Sequence, residues 1–239
     1  MTAPILVFGA SGGIGTAVAR RLAREGHGLF LTARNEDRLR ALGQELDAPV
    51  RAGDVTRGED LAAIVDQAGG DGLAGLVFAV GSIDLLPIDR AGPESFAQSY
   101  SLNVIAAAQA VRHARAALQR AGGAVVLYSS VAAGLGFKNH SVIAAAKAGV
   151  EGLARALAAE LAPAVRINCI APTLTRTPLA ASMTASAPLV QALGRQHALG
   201  RIGEPGDIAA ATALLLGEAG AFMTGQVLHV DGGRAAVVA

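Results

Sequence analysis

Ile5-Leu-Val-Phe-Gly9-Ala-Ser11-Gly-Gly13-Ile14-Gly15-Thr-Ala-Val-Ala-Arg-Arg-Leu-Ala-Arg24 is the stretch that decides the fold. Its opening residues are apolar without a polar break, as expected of a strand covered on both faces. Its closing residues mix apolar and basic positions at helical spacing. Between them, Gly9, Gly13 and Gly15 let the backbone turn tightly and come close to a pyrophosphate, whose charge then meets unpaired amides and the positive end of the helix. Many tight turns contain a glycine triplet. The place of this one, after a strand near the N-terminus and ahead of an amphipathic helix, is what makes it a dinucleotide-binding signal, with Ser11 and Ile14 in the same turn.

Outward from this unit, short runs rich in Val, Ile and Leu alternate with longer alanine-rich helical stretches, the pattern of a parallel sheet with helices on both faces. Strands are expected at 4–9, 28–32, 49–53, 74–79, 123–129, 165–170 and 226–230. Helices are expected at 14–25, 36–46, 58–68, 95–120, 141–161 and 205–216, with Gly or Pro between elements. The 239 residues suit one large α/β domain and leave too little for two, so residues 1–239 are read as a single domain. Residues 173–203 break the alternation with several Thr, Ser and Pro, and are expected to form a lid over the strand ends, where ligands bind in doubly wound sheets.

Composition excludes several classes of function. Net charge is +1, with 16% charged and 52% hydrophobic residues, so no polyanion-binding surface is indicated and nucleic acid is not an expected partner. No basic leader precedes the first strand and no apolar run is long enough to span a bilayer, which gives the expectation of a soluble cytoplasmic protein. Cys169, the single cysteine, excludes an intrachain disulfide and a cysteine-based metal cluster, and reads as buried strand filler.

Choice of dinucleotide should be set about twenty residues beyond the glycine turn, where an acidic side chain would hold free ribose hydroxyls. The second strand instead ends Leu31-Thr-Ala-Arg34-Asn35. Arg34 offers a fork of donors to a 2′-phosphate and nothing there repels one, so NADP(H) is expected in preference to NAD(H). Asp54, in Gly53-Asp-Val55-Thr56, is placed either to accept from an adenine amino group or to cap the following helix.

In order and spacing along nearly the whole chain, these segments resemble the short-chain dehydrogenase/reductase family. The resemblance rests on the glycine turn at 9–15, Asp54-Val55, Asn103 in Ser-Leu-Asn-Val, Tyr-Ser-Ser130, Lys147, Asn168-Cys-Ile-Ala-Pro172, Arg201-Ile-Gly-Glu-Pro-Gly-Asp-Ile and Gly225-Gln-Val-Leu-His-Val-Asp-Gly-Gly233. It implies a single Rossmann-like domain with a doubly wound, seven-stranded parallel sheet. It also implies a homotetramer or homodimer packed through helices 95–120 and 141–161, and a small-molecule substrate. By the same resemblance Ser130 orients substrate, Lys147 holds the nicotinamide ribose, Asn103 anchors a proton-relay water, and Gly81, Pro172 and Thr177 line the cofactor site.

Two departures stand out. The family's Asn-Asn-Ala-Gly is Phe78-Ala-Val-Gly81 here, and the family's tyrosine, four residues before the lysine, is Ile143. Hydride delivery to a ketone leaves an alkoxide, and general acid catalysis of its protonation is typically worth about 10²–10⁴-fold. Isoleucine cannot supply that proton. Four routes stay open. His140, three residues before Ile143 and seven before Lys147, shares a helical face with both and can donate near neutral pH. Ser130, backed by Lys147 and a water near Asn103, is the second, with Tyr128 and Tyr100 as remoter donors. A substrate that needs no acid at oxygen, an iminium ion or a conjugated alkene, is the third, and a silent NADP(H)-binding sensor or scaffold is the fourth. His27, His113, His197 and His229 read as structural. Substrate choice should reside in 173–203 and 82–92.

Overall fold

The computed structural model describes residues 3–237. Seven parallel strands form one sheet in the order β3-β2-β1-β4-β5-β6-β7. They are β1 (Ile5–Phe8), β2 (Leu29–Ala33), β3 (Val50–Ala52), β4 (Gly75–Phe78), β5 (Ala124–Tyr128), β6 (Arg166–Pro172) and β7 (Val227–Val230). Each expected strand is present, most of them a residue or so shorter at the ends. β1 sits at the switch point, with Ile5 opposite Leu29 of β2 on one side and Gly75 of β4 on the other. Reversal of strand order there opens a crevice beyond the carboxyl ends of the central strands, which is where doubly wound sheets bind ligands.

Alternate residues of each strand feed two separate cores. Leu6, Phe8, Leu76, Phe78, Val125 and Leu127 face one side, where α3 (Gly58–Ala68), α5 (Ala106–Ala121) and α6 (Ser141–Leu161) cover them. Ile5, Val7, Val77, Val126 and Tyr128 face the other, covered by α1 (Gly13–Arg24), α2 (Glu36–Leu46) and α9 (Pro205–Leu216). Phe8 and Phe78 meet across neighbouring strands with ring centroids 5.6 Å apart. Period-two alternation on an all-apolar strand thus fills both layers at once.

One expected helix is interrupted. The stretch 95–120 divides into α4 (Pro93–Tyr100), a π turn at Ser101–Ile105, and α5. Within that turn Asn103 is buried and its Nδ2 donates to the carbonyl of Ser99, 2.9 Å away, so a side chain takes a place in the backbone ladder. Such π turns cluster at functional positions because they re-aim one side chain without ending the helix. Residues 173–203 are partly ordered into short helices, α7 (Ala181–Thr184) and α8 (Ala187–Gly194). No helix among the described residues is long and apolar enough to cross a membrane.

The glycine turn is held by backbone proximity. Gly9 has φ +74°, and a Cβ there would lie 2.6 Å from the carbonyl oxygen of Ala79; one on Gly15 would lie 2.1 Å from the carbonyl oxygen of Gly9. Gly15→Ala therefore has to displace the turn. The cost should be about 1–3 kcal/mol, the usual range for overpacking, read as a lower midpoint of denaturant unfolding together with weakened dinucleotide binding.

Candidate active site

α1 begins with Gly12 as N-cap, with no side chain capping it and no acidic residue in its first turn. Thr16 makes the first intrahelical bond, to Gly12, so the amides of Gly13, Ile14 and Gly15 precede the ladder and face outward at the positive end of the helix dipole. Thr16 Oγ1 donates to the Ala10 carbonyl at 2.7 Å and pins the turn behind Ser11. A Cβ on Gly13 would come 2.7 Å from Cγ2 of Thr177, so the glycine turn and the segment after β6 close on each other at that point.

Beyond the ends of β4, β5 and β6 lies a cavity of about 330 Å³. Ile14, Gly81, Pro172 and Thr177 line it from the turn side, and Ser130, His140, Ile143 and Lys147 from the far side. Seven expected site residues and the Ile143 position are therefore brought together, although Ile14 and Thr177 stand 163 positions apart in the sequence. Lys147 is buried, and its Nζ donates to the Tyr128 carbonyl at the end of β5, 3.0 Å away. Burial pulls the ammonium down to about 8, with the Asp84 carboxylate among the groups opposing that shift. Asn103 Oδ1 is buried without a partner, while Nδ2 also reaches Ser82 Oγ at 3.3 Å. A Cβ on Gly81 would lie 3.0 Å from Asn103 Oδ1 and 3.1 Å from Lys147 Nζ, so glycine at 81 keeps open a space that both polar groups face.

Ser130 starts the short 3₁₀ turn Val131–Ala133, and its Oγ accepts from the Ala132 amide at 3.1 Å. That leaves the hydroxyl proton available to the cavity. His140 stands at the N-cap of α6 without capping it. Its Nδ1 lies 2.7 Å from the Lys138 carbonyl, an acceptor only, so Nδ1 carries a proton and Nε2 is the nitrogen open to a ligand. Ile143, 5% exposed, forms apolar wall between His140 and Lys147 along the same helix face.

Neither tyrosine offers its hydroxyl. Tyr128 is buried with its OH 2.7 Å from Thr212 Oγ1 on α9, and burial raises its pKa far above the ordinary phenol value. Tyr128 borders the cavity and gives its carbonyl to Lys147, while its side chain packs in the core on the α9 side of the sheet. Tyr100 is exposed and is not part of the lining. Cys169 is fully buried and burial pushes its thiol up to about 12, in keeping with a filler role.

At the ribose end, Arg34 is exposed just past β2 and Asn35 accepts from the Arg38 amide to start α2. Asp54 does not cap α3, whose N-cap is Arg57. Its Oδ1 accepts from the amide and hydroxyl of Thr56 at 2.9 and 2.7 Å, which holds the carboxyl below the usual range, with Arg34 adding attraction. Val55 is buried in the core, so only its backbone is available at this rim.

Sequence reasoning missed the part that two lining groups play, His197 and Arg234. His197 was expected to be structural, yet it lines the cavity: Nδ1 bonds the Leu193 carbonyl at 2.9 Å and Nε2 meets Thr173 Oγ1 at 2.8 Å. Ser82, at the start of the 82–92 segment expected to govern substrate choice, donates to Asp84 and also lines the cavity. No local motif marks His197 or Arg234.

A seven-stranded sheet with this order, a glycine turn opening α1, and a buried lysine over the crevice define a nucleotide-binding oxidoreductase architecture. The family model described as Enoyl-(Acyl carrier protein) reductase matches residues 9–235. The chain is 34% identical over 252 residues to the cis-4-hydroxycyclohexanecarboxylate dehydrogenase of Sinomonas cyclohexanicum, covering 97% of this chain and 96% of that protein. Among solved structures, a short-chain type dehydrogenase/reductase from Mycobacterium ulcerans superposes with TM-score 0.92 at 32% identity, covering 98% of this chain and 91% of that one. Actinorhodin polyketide ketoreductase with NADPH gives 0.93 at 27%, covering 99% and 98%. The chain belongs to the short-chain dehydrogenase/reductase family, whose members use nicotinamide dinucleotides.

The partnerless Asn103 Oδ1, the outward amides of the turn and the space kept at Gly81 fit such a dinucleotide. Because Lys147 is charged below about pH 8 and neutral above it, NADPH affinity should fall as pH rises from 7 to 9.5. A fluorescence titration series checks this, and Lys147→Met should be weaker and flat across the same range.

Proposed function

We propose that this protein is an NADP(H)-dependent reductase of a small, largely apolar carbonyl, imine or activated alkene, with His140 in place of a phenol as proton source. The observation that carries the reading is one cavity bordered by Ser130, Lys147, His140 and Ile143 beside the glycine turn. Arg34 supports the preference for a 2′-phosphate, being exposed at the end of β2 with no carboxylate in ion-pair contact among the described residues.

A bound nicotinamide dinucleotide supplies the hydride. The chain's part is to hold the acceptor group and bring the proton. Ser130 donates its hydroxyl to the substrate oxygen, and Lys147, with one donor committed to Tyr128, keeps others for ribose hydroxyls. His140 gives a proton from Nε2 when its ring is an imidazolium, and Nδ1 stays tied to the Lys138 carbonyl throughout. Ile83, Ile143, Leu174, Leu179, Met183 and Leu193 supply apolar wall, which suits a compact hydrocarbon body. The outer faces of α4, α5 and α6, where Tyr100 and Ile105 are exposed, are the surfaces proposed for pairing of subunits.

One observation favours a second reading. No tyrosine hydroxyl reaches the cavity, so a protein that binds NADP(H) without turnover is the alternative. NADPH fluorescence titration followed by a panel of ketones, imines and enones separates the two: oxidation of NADPH with any of them supports the reductase, and tight binding with none supports the silent protein. Ile143→Tyr should gain or broaden ketone reduction by tenfold or more, within the range expected of a placed general acid. His140→Phe should lose most of the wild-type turnover at unchanged NADPH affinity; full retention removes His140 as donor. For the ribose end, Arg34→Ala should weaken NADPH about tenfold while leaving NADH within a factor of two, as the loss of one charge-assisted contact implies.

A further inference from the structure

Among the described residues the cavity wall contains no aspartate or glutamate, but it does contain a second cation besides Lys147: Arg234. Its placement is specified by the chain. After β7, Gly232 and Gly233 have φ +59° and +84°, a left-handed turn that Asp231 secures by accepting the amides of Gly233 at 2.9 Å and Ala235 at 2.8 Å. The turn is tied to the segment after β6, since the Leu199 amide donates to the Gly232 carbonyl at 3.1 Å. These contacts return residue 234 to the rim of the cavity.

The guanidinium is then held by two neutral groups. It lies 5.5 Å from the centroid of the Phe137 ring, and Nη2 donates to Gln196 Oε1 at 3.2 Å. Phe137 and Gln196 line the cavity as well. Neither neutralises the charge, and no carboxylate among the described residues is in ion-pair contact with Arg234; the adjacent Asp231 carboxylate is occupied by backbone amides. The contact over the ring and one amide bond hold the guanidinium in place while leaving most of its five donors unused. The result is an oriented, unneutralised fork at the edge of an apolar cavity.

We infer that Arg234 is a specificity residue that receives a carboxylate on the substrate, so that the preferred ligand is a small apolar molecule with the reducible group at one position and an anionic carboxylate at another. This rests on the reductase reading for the identity of the reacting group, but the anion site itself does not. A planar carboxylate matches the guanidinium fork, and the preference is moderated because Arg234 is partly exposed to screening solvent. The rest of the lining favours the hydrocarbon body.

The test uses the full chain loaded with NADPH and two probes of similar shape, cyclohexanecarboxylate and cyclohexanecarboxamide, titrated calorimetrically at low salt. The carboxylate should bind about tenfold more tightly than the amide, a difference of about 1.4 kcal/mol. Arg234→Gln should abolish that preference while keeping amide binding, and Arg234→Lys should retain part of it. Equal binding of both probes, binding of neither, or a preference that survives Arg234→Gln overturns the inference. So does a parallel tenfold loss of NADPH affinity in Arg234→Gln, which would assign the guanidinium to the dinucleotide. If NADPH itself does not bind the wild type, the reductase reading fails, and the same pair of titrations on the unliganded protein still decides whether Arg234 selects a carboxylate.

Discussion

A buried ammonium bonded to one strand-end carbonyl governs this structure's active end. Lys147 reaches Tyr128 from α6 and finds little else to neutralise it. Lowering a lysine from 10.5 to about 8 amounts to about 3 kcal/mol held against the charged form. That penalty is present in full below about pH 8 and fades as pH rises toward the value of an unfolded lysine, near 10.4. At neutral pH the unliganded protein therefore carries a local cost that a methionine of similar length would avoid. Stability sacrificed at one position for a function elsewhere is an expected trade in a site that has to meet a polar ligand.

The surrounding elements are arranged to keep that charge accessible. The π turn between α4 and α5 brings Asn103 into the same space, and glycine at 81 prevents a side chain from filling it. At the switch point, Gly9 and Gly15 permit contacts that any Cβ would block, which lets the helix dipole of α1 approach the same crevice. Two electropositive features, one a helix end and one a buried side chain, thus converge on a cavity formed where the strand order reverses.

Much of this was legible from residues alone because it depends on period and punctuation. All seven strands, and α2, α3, α6 and α9 to the residue, follow from apolar runs bounded by Gly, Pro or polar breaks. The π turn was not legible, since Ser-Leu-Asn-Val fits an uninterrupted helix and only the buried bond from Asn103 to Ser99 distinguishes the two. Asp54 had two sequence readings, and the one as helix cap gives way because the chain runs three residues further, to Arg57, before α3 begins. His197 and Arg234 were invisible for a different reason. Their positions depend on how the segment after β6 and the turn after β7 fold back on each other, and no local pattern encodes a contact between segments 37 residues apart, as from 197 to 234.

The replacement of a hydroxyl by hydrocarbon at 143 also alters the electrostatics around Lys147. Where a phenol would take up the ammonium's influence, Ile143 contributes only apolar surface, and apolar surface lowers the local dielectric response. Two unit charges about 4 Å apart interact by about 4 kcal/mol at an effective dielectric of about 20, against about 1 kcal/mol in water. A negative oxygen developing in the cavity would therefore feel the lysine directly, as a preorganised charge that needs no solvent reorganisation. In that arrangement stabilisation of the anion and delivery of the proton become separate tasks. Under the proposed reaction Lys147 would serve the first from a buried, fixed position, and Nε2 of His140 would suit the second because a half-buried group can be reprotonated between turnovers.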